Sequence, residues 1–414
     1  MLVVDAAPFA GLRHDPAVAG PPARTSAPAQ DDLAPLDYLS RLTASPYTVL
    51  HLFAGHDGGE PPASVVARWE RLGVLRAEPT PAMYRYEQHW LANGVPQVLR
   101  GVLAAVSARG AGGRRIAAHE HVDHARLDAG RRRRADSPVE AAPVTLLVDG
   151  ADPAWRAPLD AAPPAPPVAA LTDEVGADHR LWRLPVEASI RVRAALGGAR
   201  AVIADGHHRW RAAREQNAPG DEADPAGRVL ALLTDPAASD GPRLAPVHLR
   251  LDRPPNDPWR VLPAAALAAA GAGTQPETAA LRPPGTGSVV CWSRGQLPVT
   301  IDLVRLLGEQ MRSAPGEWTR AVREWLLPRL GISGSEVTPT ADLAQARSAV
   351  LQGQAEAVVA QPPLAIAEVV GSAGAGRLLP AKSTRFWPKP RVGLVLRRTD
   401  AGAGAATDPA TGRG

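Results

Sequence analysis

The chain is poor in several residue types, and each scarcity excludes something. Among 414 residues there is one cysteine, Cys291, which rules out an internal disulfide framework and a cysteine-built zinc cluster within one chain. A buried, inert thiol is the expectation. No apolar stretch approaches the length of a membrane span, and Met1-Leu2-Val3-Val4-Asp5-Ala6-Ala7-Pro8 has neither a basic region nor a long apolar run. Neither signal peptide nor anchor is expected, and the cytoplasm is the expected compartment. The net charge is only +4, and no helix-turn-helix pattern is present, so no nucleic-acid partner is expected. The densest basic run, Arg131 to Arg134, sits in a Gly-Ala-Asp-rich stretch and reads as a solvated loop.

Lysine is almost missing. Of 46 basic residues only Lys382 and Lys389 are lysines, leaving 46 − 2 = 44 arginines, the bias of a GC-rich genome. Lysines that survive such a bias mark positions where a compact ammonium serves and a planar guanidinium does not. Both fall within Lys382-Ser383-Thr384-Arg385-Phe386-Trp387-Pro388-Lys389.

What is present is apolar material for a core: hydrophobic residues make up 45% of a chain long enough for two domains. Helical spacing is read at 36–42, 64–72 and 187–196, and strands at 48–53, 82–86, 98–106, 144–148, 179–184, 201–204 and 228–234. Asn93-Gly94 makes a hairpin of the second and third strands. This alternation predicts an α/β or α+β domain over residues 1–255, with Arg253-Pro254-Pro255 at its boundary. Residues 256–398 read as a mainly helical second domain, with helices at 264–270, 300–312 and 318–326 and strands at 357–360 and 392–396. The Ala/Gly/Thr-rich tail 399–414 reads as disordered.

Three places can carry chemistry. The strand Ala201-Val202-Ile203-Ala204 ends in Asp205-Gly206 and runs into a helix beginning His207-His208-Arg209. Free amides and the positive end of the helix dipole make such a turn an anion site. Gly206, His207, His208 and Arg209 would hold phosphate, Arg209 as a bidentate fork. Asp205 would cap the helix, bind a metal or accept a proton from a substrate hydroxyl. The second place is His119-Glu120-His121 with His124. On a strand His119 and His121 would share a face suited to metal ligation, while Glu120 would serve as base or metal-phosphate ligand; no third metal ligand is identified, so the metal stays open. The third is the lysine segment, where Lys382 and Lys389 would meet phosphate charge and Ser383 and Thr384 would hydrogen-bond to it. No glycine-rich loop precedes it, so it is not a Walker A motif.

At these places the sequence resembles the bacterial and archaeal family called domain of unknown function 1015, over nearly the whole chain. Pro8 to Arg13, Ser45 to Leu52, Tyr84 to Gln88, Ile116 to Glu120, Ile203 to Arg209 and Leu379 to Lys389 stand in family order. Gly206 to Ala213 is also similar to the nucleotide-phosphate box of the ParB and sulfiredoxin superfamily, whose members bind CTP, ATP or ADP. The resemblance implies a ParB/sulfiredoxin-like nucleotide-binding core with a second, more helical domain. As relatives with this fold include free serine kinases, it implies phosphoryl transfer from ATP or ADP, with Mg2+, to a small hydroxyl metabolite such as serine. Asp205, Glu120 and His119 are then the catalytic candidates. A non-catalytic ParB-like switch and a metal-dependent hydrolase are the alternatives. Two departures stand out. The family's Pro-Pro-Tyr-Asp-Val is replaced by Ser26 to Leu33, where Asp31 or Asp32 substitutes for the acid, and its Pro-Thr-His-Arg is Pro246-Val247-His248-Leu249, displacing the arginine to Arg250. No feature of the sequence bears on oligomeric state.

Overall fold

The structure is a computed structural model and describes residues 4–55, 58–163, 165–215, 227–252, 273–274, 287–293, 298–304, 317–329 and 332–399. The fold is mixed α/β and forms two compact units, neither of them one continuous stretch. The first comprises Met1–Ala117, Val122–Pro242 and Pro388–Gly414, the second Ala118–His121 and Arg243–Trp387. The boundary read at Arg253-Pro254-Pro255, the helix at 264–270 and the tail beyond Thr399 lie outside the described residues.

The first unit is built on a nine-stranded mixed sheet. Its long hairpin, Tyr84–Ala92 and Val95–Ser107, turns at Asn93 (φ 52°) and Gly94 (φ 77°), the left-handed pair that a two-residue hairpin turn demands. On one side of the hairpin Arg228–Thr234 pairs antiparallel to Val95–Ser107 and parallel to Val144–Asp149, which pairs antiparallel to Arg200–Asp205. On the other side Asp178–Arg183 pairs with Tyr84–Ala92, placing Leu181 opposite Tyr86. Central strands read as unbroken apolar runs because both faces are covered: Val144 to Val148 and Val229 to Leu233 are all buried. A separate four-stranded sheet joins Leu75–Ala77, Gly11–His14, Leu396–Arg398 and Val139–Glu140.

Three elements of this unit differ from the sequence reading, one being the strand read at 392–396, which begins only at Leu396 and runs to Arg398. Residues 48–53, read as a strand, form a turn and the short helix His51–Ala54; the bonds from His51, Leu52 and Phe53 amides to the Thr48, Val49 and Leu50 carbonyls are local. A fully buried turn shows the same apolar run as a buried strand. The arginine run lies in the helix His124–Asp136. Asp123 caps it by accepting the Arg126 amide, and it packs on the helix His207–Glu215, where a Cβ added at Gly130 would stand 3.6 Å from the His208 carbonyl oxygen, an ordinary contact. Arg134 is ion-paired with Glu140 and donates to the Arg228 carbonyl, so this arginine braces the unit.

The second unit carries a six-stranded sheet that includes Val299–Asp302, Ser288–Ser293, Ala355–Ala360, His248–Asp252 and Val337–Thr340. Val299–Asp302, where a helix is expected, is a strand: Val299 and Ile301 are buried while Thr300 and Asp302 are not, the period of two that a pleated strand imposes. The helix expected at 318–326 forms as Glu317–Ala321 followed by a π-turn over Val322–Leu326. Cys291 is buried and free, and burial pushes its thiol up to about 12.

Candidate functional site

In the first unit the strand Arg200–Asp205 ends with a register shift between Ile203 and Asp205, an irregularity of the kind that re-aims the last side chain of a strand. Gly206 follows at φ +93°, and the helix His207–Glu215 begins at once. A Cβ on Gly206 would stand 2.9 Å from Arg209 Nη2 and 3.1 Å from Val144 Cγ2. Glycine is therefore required by conformation, and any side chain here would also displace the Arg209 guanidinium.

That guanidinium donates from Nη2 to Asp205 Oδ2 at 3.0 Å and to the Pro143 carbonyl at 3.1 Å. The second Asp205 oxygen, Oδ1, lies 3.5 Å from Lys389 Nζ, and the same ammonium reaches Asp31 Oδ2 at 3.4 Å. Lys389 is 11% exposed and Arg209 45%. One carboxylate thus sits between two cations at a helix N-terminus, and one ammonium sits between two carboxylates. Burial alone would raise the Asp205 carboxyl, but the Arg209 and Lys389 charges overcome it and hold it below the usual carboxylate range. Asp205 is ionised at neutral pH.

The histidines of the motif take other positions. His207 is buried, and His208 Nε2 accepts the Asp123 amide at 3.2 Å, so this imidazole braces the start of the neighbouring helix. Of the four residues expected to hold phosphate, Gly206 and Arg209 shape the turn, and Lys389 joins them from 180 positions on (389 − 209). Asp31, the candidate substitute for the family's acid, is in the same group.

The remaining candidates, His124 excepted, belong to the second unit. The Glu120 backbone bridges to Leu379, with the Leu379 amide donating to the His119 carbonyl at 2.7 Å and the His121 amide to the Leu379 carbonyl at 3.0 Å. This places the Glu120 side chain at the lysine turn, where Oε2 accepts the Ser383 amide at 3.2 Å. His119 is fully buried; its Nε2 is 2.7 Å from Thr384 Oγ1 and its ring lies edge-on to Phe386. Ser383 Oγ donates to the Pro380 carbonyl at 2.6 Å, so the hydroxyls expected to meet phosphate are engaged in the turn. His124 heads a helix of the first unit and His121 is exposed. Among the described residues no group of three or more His, Cys, Asp or Glu could hold a metal ion.

Lys382 itself adopts φ +59°, a conformation that costs a side-chain-bearing residue about 1–2 kcal/mol. Arg323, on the π-turn, offsets this by donating to the Lys382 carbonyl at 3.1 Å, and its charge also acts on Glu120. Sequence reading passes over Arg323 because nothing local distinguishes it from the other arginines. The displaced family positions are structural: His248 is buried, accepts the Gln361 amide at 3.2 Å and is pushed down to about 4 by burial, and Arg250 donates to Asp252.

Against known proteins, the family model described as "Protein of unknown function (DUF1015)" matches residues 6–254. Comparison with curated proteins gives no match. Among solved structures, a free serine kinase in complex with AMP shares 15% identity at a TM-score of 0.37, covering 72% of this chain and 92% of that one. SbnI with a C-terminal truncation from Staphylococcus aureus shares 13% at 0.39, covering 70% and 87%. A conserved hypothetical protein from Pyrococcus furiosus shares 13% at 0.36, covering 71% and 95%. At these TM-scores no assignment passes to this chain.

Proposed function

We propose, from the premise that this chain belongs to the DUF1015 family, that it is a nucleotide-dependent phosphotransferase acting on a small hydroxyl-bearing metabolite. The observation that carries the reading is Asp205 held between Arg209 and Lys389 at the N-terminus of the helix His207–Glu215. Helix amides, a guanidinium fork and a compact ammonium are the donor set for a terminal phosphate. Phosphate oxygens compete with Asp205 for those cations, and a bound nucleotide releases the carboxylate toward the acceptor hydroxyl.

Asp205 and Asp31 are hard oxygen donors of the class that Mg2+ takes alongside phosphate oxygens, so the residues present fit that ion, which would neutralise charge developing on the phosphoryl group. The depressed Asp205 suits an ionised ligand or an orienting acceptor of the substrate proton. In the second unit Glu120 is the corresponding acid and Lys382 the corresponding cation; among the described residues none pairs with the Lys382 ammonium. His119 acts there through Thr384. ADP and ATP are the expected nucleotides, with CTP to be compared, and serine heads the acceptors to be screened.

The test is isothermal titration with ADP, ATP and CTP in the presence of Mg2+, with Arg209→Ala as the control. Binding that disappears in the control supports the reading and justifies the acceptor screen. Absence of binding by all three nucleotides sinks it.

A further inference from the structure

Lys389 is set into a stiff piece of backbone. Pro388 and Pro390 flank it; a proline fixes its own φ and confines the residue before it to extended conformations. Whatever anchors Arg391 is therefore transmitted to Lys389 with little slack. Arg391 is buried and held at each of its nitrogens. Its guanidinium meets Glu174 with two bonds, Nη1 to Oε2 at 3.0 Å and Nη2 to Oε1 at 3.1 Å, and Nε donates to Ser26 Oγ at 3.1 Å. Its backbone amide donates to the Tyr86 hydroxyl at 3.1 Å.

That hydroxyl is one member of a buried chain. His179 Nδ1 is 2.8 Å from Tyr86 Oη, and His179 Nε2 is 3.0 Å from Asp173 Oδ2. Asp173 Oδ1 also accepts the Val175 and Ala177 amides at 3.1 and 2.8 Å. Asp173 is an acceptor, since burial would raise its carboxyl but the bonds from His179 and the Ala177 amide carry it down. The proton of His179 is therefore on Nε2. Burial lowers the affinity of His179 for a second proton, so Nδ1 is a lone pair and Tyr86 donates to it. With its single proton so directed, the tyrosine oxygen presents lone pairs to the Arg391 amide. Gln88 Oε1, two residues along the same strand face and 3.2 Å from the hydroxyl, is the more distant of two acceptors for that same proton. The charged neighbours of His179 are Asp173, Glu174 and Arg391.

We infer that Asp173, His179 and Tyr86 are positioning residues that act through the Arg391 amide to hold Lys389 against Asp205 and Asp31. All of these residues belong to the first unit. A buried Asp-His-Tyr series is a costly arrangement unless geometry must be held. The inference rests on the proposed function for its purpose but not for its test.

Because the chain has only two lysines, 15N-lysine labelling gives two backbone amide signals, and Lys382 in the second unit is an internal control. Tyr86→Phe removes the hydroxyl and keeps the ring. The expected result is a shifted and broadened Lys389 signal with Lys382 unchanged, together with an approximately tenfold loss of ADP affinity. Should this variant not accumulate folded, His179→Gln carries the same test. An unchanged Lys389 signal overturns the inference, as does movement of both signals together, which marks a general loss of structure. If the unsubstituted protein binds no nucleotide, the functional reading fails, and the Lys389 signal still decides the positioning role.

Discussion

Replacing Asp205 with asparagine should strengthen the binding of a bare phosphate anion while abolishing turnover. Asp205 occupies Arg209 at 3.0 Å and Lys389 at 3.5 Å, so an incoming phosphate must displace a resident carboxylate. Pairs with one partly exposed member contribute about 0.2–1 kcal/mol each, so the two together hold back about 0.4–2 kcal/mol, with a value near the upper end expected for an ammonium only 11% exposed. Since 1.4 kcal/mol is tenfold in an equilibrium constant, pyrophosphate should bind Asp205→Asn about tenfold more tightly than it binds the unsubstituted protein. The assay is calorimetric titration with pyrophosphate at pH 7, without Mg2+ and at low salt, where screening does not mask the term. Raising the salt should shrink the difference. With ATP and Mg2+ the same variant should bind without turning over any acceptor. Unchanged or weaker pyrophosphate binding by Asp205→Asn would refute the claim that Asp205 and phosphate compete for the same cations.

Other substitutions separate conformation from charge. Gly206→Ala forces a side chain into φ +93° and to within 2.9 Å of Arg209 Nη2, so a stability loss of about 1–2 kcal/mol is expected, read by urea unfolding, together with weaker ADP binding as the guanidinium is displaced. Glu174 is held down to about 2 by its bonds to Arg391 and Arg41 against a burial effect that would raise it. A depressed carboxyl stabilises above its ordinary value and loses that contribution as pH falls toward the folded one. The stability gap between the protein and Glu174→Gln should therefore be constant above about pH 5 and close between pH 4.5 and 2; a gap that widens on acidification would count against the ion pair. His119→Ala removes a fully buried ring and the partner of Thr384, a loss of about 2–4 kcal/mol that differential scanning should place in the second unit, and a melt identical to the original would show the contact to be incidental.

How much of this is legible in the sequence depends on chain distance. The Asp205 to Arg209 turn is local, and strand, glycine and helix start can be read from composition alone. Lys389 is conspicuous because arginine has replaced lysine everywhere else but one position. Two lysines seven positions apart read naturally as one site, yet the chain passes from the second unit to the first between Trp387 and Pro388, and each lysine serves a different group. The buried chain of Asp173, His179, Tyr86 and Arg391 leaves no mark in the sequence, because it depends on the register that sets Leu181 opposite Tyr86 and on a loop that returns some 300 residues after Tyr86 (391 − 86 = 305). The helix His124–Asp136 was hidden for another reason: Leu127 is its one buried side chain among the described residues, so it shows almost no apolar period.

The order in which the chain is made adds a consequence. The strand Gly11–His14 has Leu396–Arg398 as one of its two neighbours, and Asp205 waits 184 residues for Lys389 (389 − 205). At about 5–20 residues per second on the ribosome, that wait lasts roughly 10–40 s. During that interval the motif turn can fold, but its carboxylate has only Arg209 beside it and one edge of the strand Gly11–His14 in the four-stranded sheet remains unpaired. A message cut short before codon 389 yields a chain with the turn intact and without the ammonium that Asp205 and Asp31 share.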